Sequence, residues 1–421
     1  MGNSRRGREL IEILQKKGVK IPCPESVEIG EDIIPDRISG DNVVIHSGCR
    51  LFGSETLIMP GVQLGYEAPT TVHNCQIGRD VQLKGGFYYV STFFEKSSMG
   101  SGAQVRESCL LEEGARGAHN VGLKHTILFP FVTLGSLINF CDCLMAGGTD
   151  ERNHSEVGSS YIHFNYTPDQ DKTTASLIGD VPRGVMINQS PIFLGGQGGI
   201  TGPVRIEYGT VVAAGTIVRK DIREQNRMLL GNPAIASSIP FHANVYSNLS
   251  RIVRLNTVYI SNLIALRRYY LDIRSLFIGN DNMEEELHKG AVDKIESAIE
   301  ERIKQLEQLA NKMPRSIEMQ EERVTKSSEK AGLKKKEFFE KWQDIKESFN
   351  NCLDESGDSS KREIFSQFIA KSIARNGKEY IMVIKGLTTE ESLAGTSWLE
   401  GLVDSINRKI WALLPVMGIK D

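Results

Sequence analysis

The chain has 421 residues, a formal net charge of -3 from 50 Lys/Arg against 53 Asp/Glu, and 40% hydrophobic content. These values describe a globular chain long enough for two ordinary domains, and they exclude a polybasic nucleic-acid binder. No run approaches the ~18 uninterrupted apolar residues of a membrane span, and seven cysteines without paired spacing point to reduced thiols in a cytoplasm.

The start, MGNSRRGRELIEILQKKG, interleaves apolar positions with Glu12, Gln15 and Lys16. That pattern predicts an amphipathic helix within residues 1–19 rather than a signal peptide. Met1-Gly2 opens like a myristoylation site, but residue 6 is Arg where Ser or Thr is needed.

Residues 20–242 hold 28 of the 40 glycines and 12 of the 14 prolines, a turn-rich composition. Within them Leu194, Ile200, Ile206, Val212 and Val218 fall six apart without a slip, and Ile45, Leu51 and Leu57 show the same spacing. A half-buried strand has period 2 and a helix 3.6; six fits neither. The physical reading is a prism with one short strand per face, small residues at the corners and an aliphatic residue pointing inward from each face. Stacked coils then pair as parallel strands around a continuous apolar column. The fold class expected is an all-β parallel β-helix. Cys141 and Cys143 read as small apolar fillers, without a second ligand pair for a metal. Gly195, Gly196, Gly198 and Gly199 read as corner glycines, since no G-K-[ST] follows.

One segment breaks the pattern. Residues 161–180, YIHFNYTPDQDKTTASLIGD, leave the hexads for a polar, proline-containing loop before returning at Ile178-Gly179-Asp180. A repeat that only stacks has no use for this interruption.

Residues 243–421 are helix-compatible and balanced, with 28 Lys/Arg and 28 Asp/Glu. Ile252, Leu255, Tyr259, Leu263, Leu266, Tyr270, Ile273 and Phe277 form one helical stripe, and Val292, Ile295, Ile299, Ile303, Leu306 and Leu309 a second. Further helices are expected near 335–349 and after an N-cap serine at 359 or 360, with a linker and possible subdivision over 350–360. Lys334-Lys335-Lys336 reads as a solvated helix face. Such an α-helical extension can pack on itself, pack on its own β-helix or dock a protein partner.

The hexads resemble those of the left-handed β-helix (hexapeptide-repeat) acyltransferases. N-Y, a lysine and T-x-x-I-G-D, followed by IFLGGQGGITGPVRIEYGTVVAAGTIVRKDI, are similar to the acetyltransferase half of the bacterial bifunctional glucosamine-1-phosphate N-acetyltransferase/uridylyltransferase. The resemblance is clear over 161–222, patchy over 20–160 and absent beyond about 242. It implies a left-handed β-helix, a homotrimer with sites between neighbouring coils, acetyl-CoA as acyl donor and an amino-sugar acceptor. It implies that Asn165 and Tyr166 contact the amino sugar and the acetyl group, that Lys172 binds a sugar phosphate, and that Lys124 in HNVGLKHT is a second phosphate contact. Ala214 in V-A-A-G matches a backbone position touching coenzyme A, and Gly196 stands where the family often has a serine near the cofactor. Gly231-Asn232-Pro233-Ala234 resembles the G-N-P-A that closes many such β-helices.

Acyl transfer to nitrogen needs a base to deprotonate the ammonium ion and a donor for the developing oxyanion. The family's histidine lies in a G-H-L-S-Y stretch; the nearest analogue here is His154 in N-H-S-E-V-G, with His163 and His119 as alternatives. His154 stands only 11 residues before Asn165, D-G after N-Y is replaced by Thr167-Pro168, and VPRGVMINQSP is inserted after Asp180. The uridylyltransferase G-x-G-T-R-M loop does not occur in these residues. Two functions are therefore expected as alternatives: an N-acyltransferase on an amino sugar phosphate or nucleotide-linked amino sugar, or a non-catalytic sugar-nucleotide-binding or assembly scaffold. No metal, nucleic acid or membrane partner is expected.

Overall fold

The computed structural model describes residues 4–231, 238, 243–246, 248–321 and 326–419. After the helix α1 (Arg5–Lys17), the chain winds into a parallel β-solenoid of strands two to seven residues long. The expected Asn232-Pro233-Ala234 closure lies outside the described residues.

Each coil contributes one strand to each of three faces. On the third face, ten strands stack in parallel register from Val44–Ile45 to Met228–Leu229. Their inward column runs through Leu64, Leu83, Met99, Leu134, Val157, Leu194 and Val212. On the first face Leu51, Val72, Leu123 and Phe140 stack inward, and below them His163, Ile200 and Val218 continue the column. Leu194, Ile200, Ile206, Val212 and Val218 thus occupy faces three, one, two, three and one, as a six-residue period requires.

The second face differs. Its inward column is Ile58, Ile77, Phe93, Leu111, Leu128, Met145, Ile178 and Ile206. The neighbouring row of Leu57, Leu110, Ile127, Leu144 and Leu177 is buried as well. Leu57, expected inward from its spacing, lies in this outer row, and Ile58 takes the inward place. The outer row is apolar because helices cover it, and a sheet buried on both sides has no polar alternation.

The covering comes from the second half of the chain. After the short α2 (Val181–Gly184) come α3 (Leu249–Asp272), α4 (Asn282–Glu321), α5 (Lys326–Glu340), α6 (Trp342–Cys352), α7 (Ser359–Asn376), α8 (Tyr380–Lys385) and α9 (Thr389–Ala412). α4 crosses the second-face strands at 57–58, 76–77, 91–93 and 109–111, and α3 reaches the strand at 176–178. The approach is close. A Cβ at Gly290 of α4 would meet Gln76 at 2.5 Å, and Ser108 and Ser297 hydroxyls stand 2.6 Å apart. One hydrophobic cluster runs through solenoid and helices together. The helical extension therefore packs on its own β-solenoid.

Two details of the extension depart from expectation. Asp358, not Ser359 or Ser360, caps α7, its carboxylate accepting from the amides of both serine 360 and Lys361. Lys334 and Lys335 are not a solvated face: Lys335 is 1% exposed and donates to the Val245 carbonyl, and Lys334 donates to Ser250.

The inserted segment after Asp180 joins the two halves. Asp180 caps α2, the Val181 amide donates to Asn262 of α3, and Val181, Val185, Met186 and Ile187 are buried against α3 and α9.

Candidate functional site

The loop at 165–175 leaves the coil where the first face should turn into the second, between strands Ile162–Phe164 and Ser176–Ile178. Its own turn is local: Gln170 donates to the Thr167 carbonyl, and Asp171 accepts from the hydroxyls of Thr167 and Thr173 at 2.7 Å each. Its outward carbonyls are taken by the helical extension. Lys312 donates to the Asp169 and Gln170 carbonyls at 2.7 and 2.9 Å, Arg302 to the Lys172 carbonyl at 2.8 Å, and Asn256 to the Thr173 carbonyl at 2.8 Å. Tyr246 adds a hydrogen bond to Asp171. A polar loop that would fray alone is thereby held at four carbonyls between Asp169 and Thr173.

Beneath the loop lies a buried ion pair. Arg302 of α4 donates to Asp142 at 2.7 Å, and both side chains are 2% exposed. Asp142 sits at a coil corner with φ 58°, a left-handed conformation that a short polar residue tolerates. Its second carboxylate oxygen accepts from the Asn165 amide at 3.3 Å. Asn165, Asp142, Arg302 and the Lys172 backbone thus form one connected chain. Tyr166 stands beside it, 59% exposed.

Cations converge on the same corner. The Lys124 strand pairs with the Cys141 strand, Lys124 opposite Cys141, and Lys124 donates to Glu107 at 2.5 Å. Burial and Asp142 push the Cys141 thiol up to about 11, while Arg106, Lys124 and Lys172 all act on it in the opposite sense. Arg106, Lys124 and Lys172 therefore lie along one edge of the solenoid, each within electrostatic reach of Cys141, with Arg106 one coil from Lys124 and the loop carrying Lys172 two coils beyond that. Arg106, Asp142 and Arg302 were not singled out from the sequence: Asp142 and Arg302 are 160 residues apart, and nothing local marks either. His125 was also passed over; it is buried beside this pair, and its Nδ1 has no hydrogen-bond partner among the described residues.

The three candidate histidines are far apart in role: one is in the core and two are on different edges. His163 belongs to the apolar column, its ring edge-on to Phe140, with Nδ1 at 2.6 Å from the Cys141 carbonyl and Nε2 at 2.8 Å from the Ser176 hydroxyl. Burial brings its pKa down to about 4, so it is a neutral core histidine with both nitrogens engaged. His119 lies on the edge between faces three and one, paired with Glu67 at 3.2 Å. His154 lies on the edge between faces two and three, in a short antiparallel hairpin of Gly148–Asp150 with Asn153–His154. The helical extension packs on the face separating His154 from the loop, and among the described residues no hydrogen bond or ion pair joins it to Asn165, Tyr166 or Lys172.

Gly196 and Ala214 share the edge of His119, in successive coils, with the Gly215 amide donating to the Gly196 carbonyl. Backbones here are close: a Cβ on Gly158 would come within 2.4 Å of the Gly196 nitrogen. Ala214 and Gly215 line a cavity of about 650 Å³ at the end of the solenoid, with Arg219 and Lys220 on its wall. Among the described residues no group of three or more His, Cys, Asp or Glu is placed to hold a metal ion, and no helix is long and apolar enough to cross a membrane.

In amino-acid sequence, about half of the chain matches known proteins. The bifunctional protein GlmU of Thermotoga petrophila is 24% identical over 218 residues, covering 50% of this chain and 42% of its own length. Half of the chain resembles GlmU. The GlmU of Pelobacter propionicus is 25% identical over 216 residues, 51% of this chain and 42% of its own. That of Acinetobacter baumannii strain AYE is 26% identical over 185 residues, 39% and 37%. The chain spans less than half the length of these GlmU relatives. No protein-family model matches it.

Proposed function

We propose that the chain is an acetyl-CoA-dependent N-acyltransferase acting on an amino sugar phosphate or a nucleotide-linked amino sugar, working as a homotrimer. The observation that carries this reading is the convergence of Asn165, Lys172, Lys124 and Arg106 on one solenoid corner whose loop is clamped from behind by the helical extension. Along this edge Lys172, Arg106 and the Glu107-paired Lys124, beside the Asn165 amide, would offer phosphate and hydroxyl groups their hydrogen-bond partners. Rigid backing by α3 and α4 supplies the positioning that makes such a surface catalytically useful.

The residues near Ala214 fit the acyl donor. A cavity of about 650 Å³ is within the usual range for a small-molecule site, its wall carries Arg219 and Lys220 for phosphate, and closely spaced glycine backbones allow an elongated ligand to lie against the coil. When bound, the donor's thioester supplies the acetyl group. Asn165 and Tyr166 would orient the acceptor amine, and Lys172 and Lys124 would hold its phosphate. His154 would take the amine proton. Because His154 and Asn165 stand on different edges of one prism, the base would act across a subunit interface, on the acceptor loop of a neighbouring chain.

The test is acetyl transfer by His154→Ala, whose hairpin is at the surface. Loss of roughly 10²-fold or more in turnover, with the trimer intact by sedimentation, supports the assignment. Unchanged turnover removes His154 from the mechanism, and a wild-type trimer without acetyl transfer leaves the scaffold reading.

A further inference from the structure

Where the last coil meets the start of α3, a cavity of about 670 Å³ is lined by Arg219, Lys220, Arg223, Arg251 and Arg254. Among the described lining residues the one carboxylate is Asp221. It accepts from Arg254 at 2.8 Å, Arg251 at 3.1 Å and Arg223 at 3.5 Å, so three guanidiniums share a single negative charge. Arg219 and Lys220 pair with no carboxylate among the described residues. Lys334 brings a further cation to the rim through Ser250.

Two of the three arginines on Asp221, Arg251 and Arg254, come from α3, and Arg223 lies beside Asp221 on the coil. Arg254 has a side chain only 16% exposed, and burial, followed by the positive charges of Arg223 and Arg251, draws its pKa below the ordinary arginine value. Crowded cations in a partly dehydrated pocket are relieved by an anion. Planar guanidiniums present paired N–H donors that match phosphate oxygens.

We propose that this cavity is a phosphate site for a ligand carrying a nucleotide-type diphosphate. Its volume exceeds what one phosphate fills, and it lies in the range of small-molecule sites. It also shares Arg219, Lys220 and Asp221 with the cavity beside Ala214, so a ligand can extend from one into the other. Half of the guanidinium set, Arg251 and Arg254, comes from the helical extension, which therefore contributes directly to binding. The diphosphate can belong to coenzyme A or to a nucleotide-linked sugar, and the two are separable by competition.

The experiment is calorimetric titration of the full chain with inorganic pyrophosphate at about 0.15 M ionic strength, where non-specific surface attraction is screened. Saturable binding is expected, weakened at least about tenfold in the double variant Arg219→Ala/Lys220→Ala, in which only exposed side chains change, and again in Arg254→Gln. No saturable binding, or equal binding by wild type and both variants, overturns the proposal. Displacement of pyrophosphate by coenzyme A assigns the site to the donor's phosphate end. Displacement by a nucleotide-linked sugar alone assigns it to a second ligand. Pyrophosphate binding without any coenzyme A binding would defeat the acyl-donor reading while leaving the phosphate site standing.

Discussion

Replacing Arg302 by Met tests how the helical extension supports the loop. The change keeps most of the stem volume and removes the guanidinium. Asp142 is then left buried, with the Asn165 amide its one remaining side-chain hydrogen-bond donor among the described residues. Removing one partner of a buried pair typically costs about 3–5 kcal/mol, and the lost hydrogen bond to the Lys172 carbonyl adds about 1 kcal/mol. A solvated surface pair would cost about 0–1 kcal/mol. Urea unfolding should therefore show a loss of about 4–6 kcal/mol. Asp142→Asn in the Arg302→Met background should recover about 2 kcal/mol or more, because a neutral amide is cheaper to leave in that position. Hydrogen exchange of residues 165–175 should quicken in Arg302→Met, since the Lys172 carbonyl loses its partner. A loss below about 1 kcal/mol, with exchange unchanged, would refute the reasoning by showing that the pair is effectively hydrated.

Two further predictions concern titratable groups buried between solenoid and helices. Burial pushes Glu112 up to about 7, against the pull of Arg274, and Tyr270 donates to its carboxylate. A folded-state pKa above the ordinary 4.5 means that this group's contribution is fully present below pH 4.5 and is lost as pH rises through about 7. Glu112→Gln, which still accepts from Tyr270, should flatten the fall in urea midpoint between pH 5.5 and 8; superimposable profiles would sink the idea. Of the seven thiols, six are buried and Cys23 is half-buried. A disulfide reagent should modify one thiol quickly in the native protein and the rest only on unfolding; several fast thiols would contradict the burial described.

Much of the β-solenoid was legible because inward positions recur every six residues whatever surrounds the prism. The phase error at Leu57 arose from treating every face as alternating. On the second face Leu110-Leu111, Ile127-Leu128, Leu144-Met145 and Leu177-Ile178 are consecutive apolar pairs, and that run is the signal that a helix covers the face. The loop was legible as an interruption, and Asn165, Tyr166 and Lys172 do lie on it. What holds it was not legible: Arg302 meets Asp142 only because α4 crosses the coils at one angle, a tertiary fact with no local signature. His163 illustrates the opposite case, since its place three residues before Tyr166 looks functional while its stacking register puts it in the core.

The most direct measurement of the central claim is acceptor-dependent release of coenzyme A by the purified chain supplied with acetyl-CoA and an amino sugar phosphate or nucleotide-linked amino sugar. The account predicts release that requires the acceptor and falls at least about tenfold in Asn165→Ala, a half-buried loop residue whose removal leaves the Arg302–Asp142 pair in place. Release that is absent for every acceptor, or equal in wild type and Asn165→Ala, would contradict it.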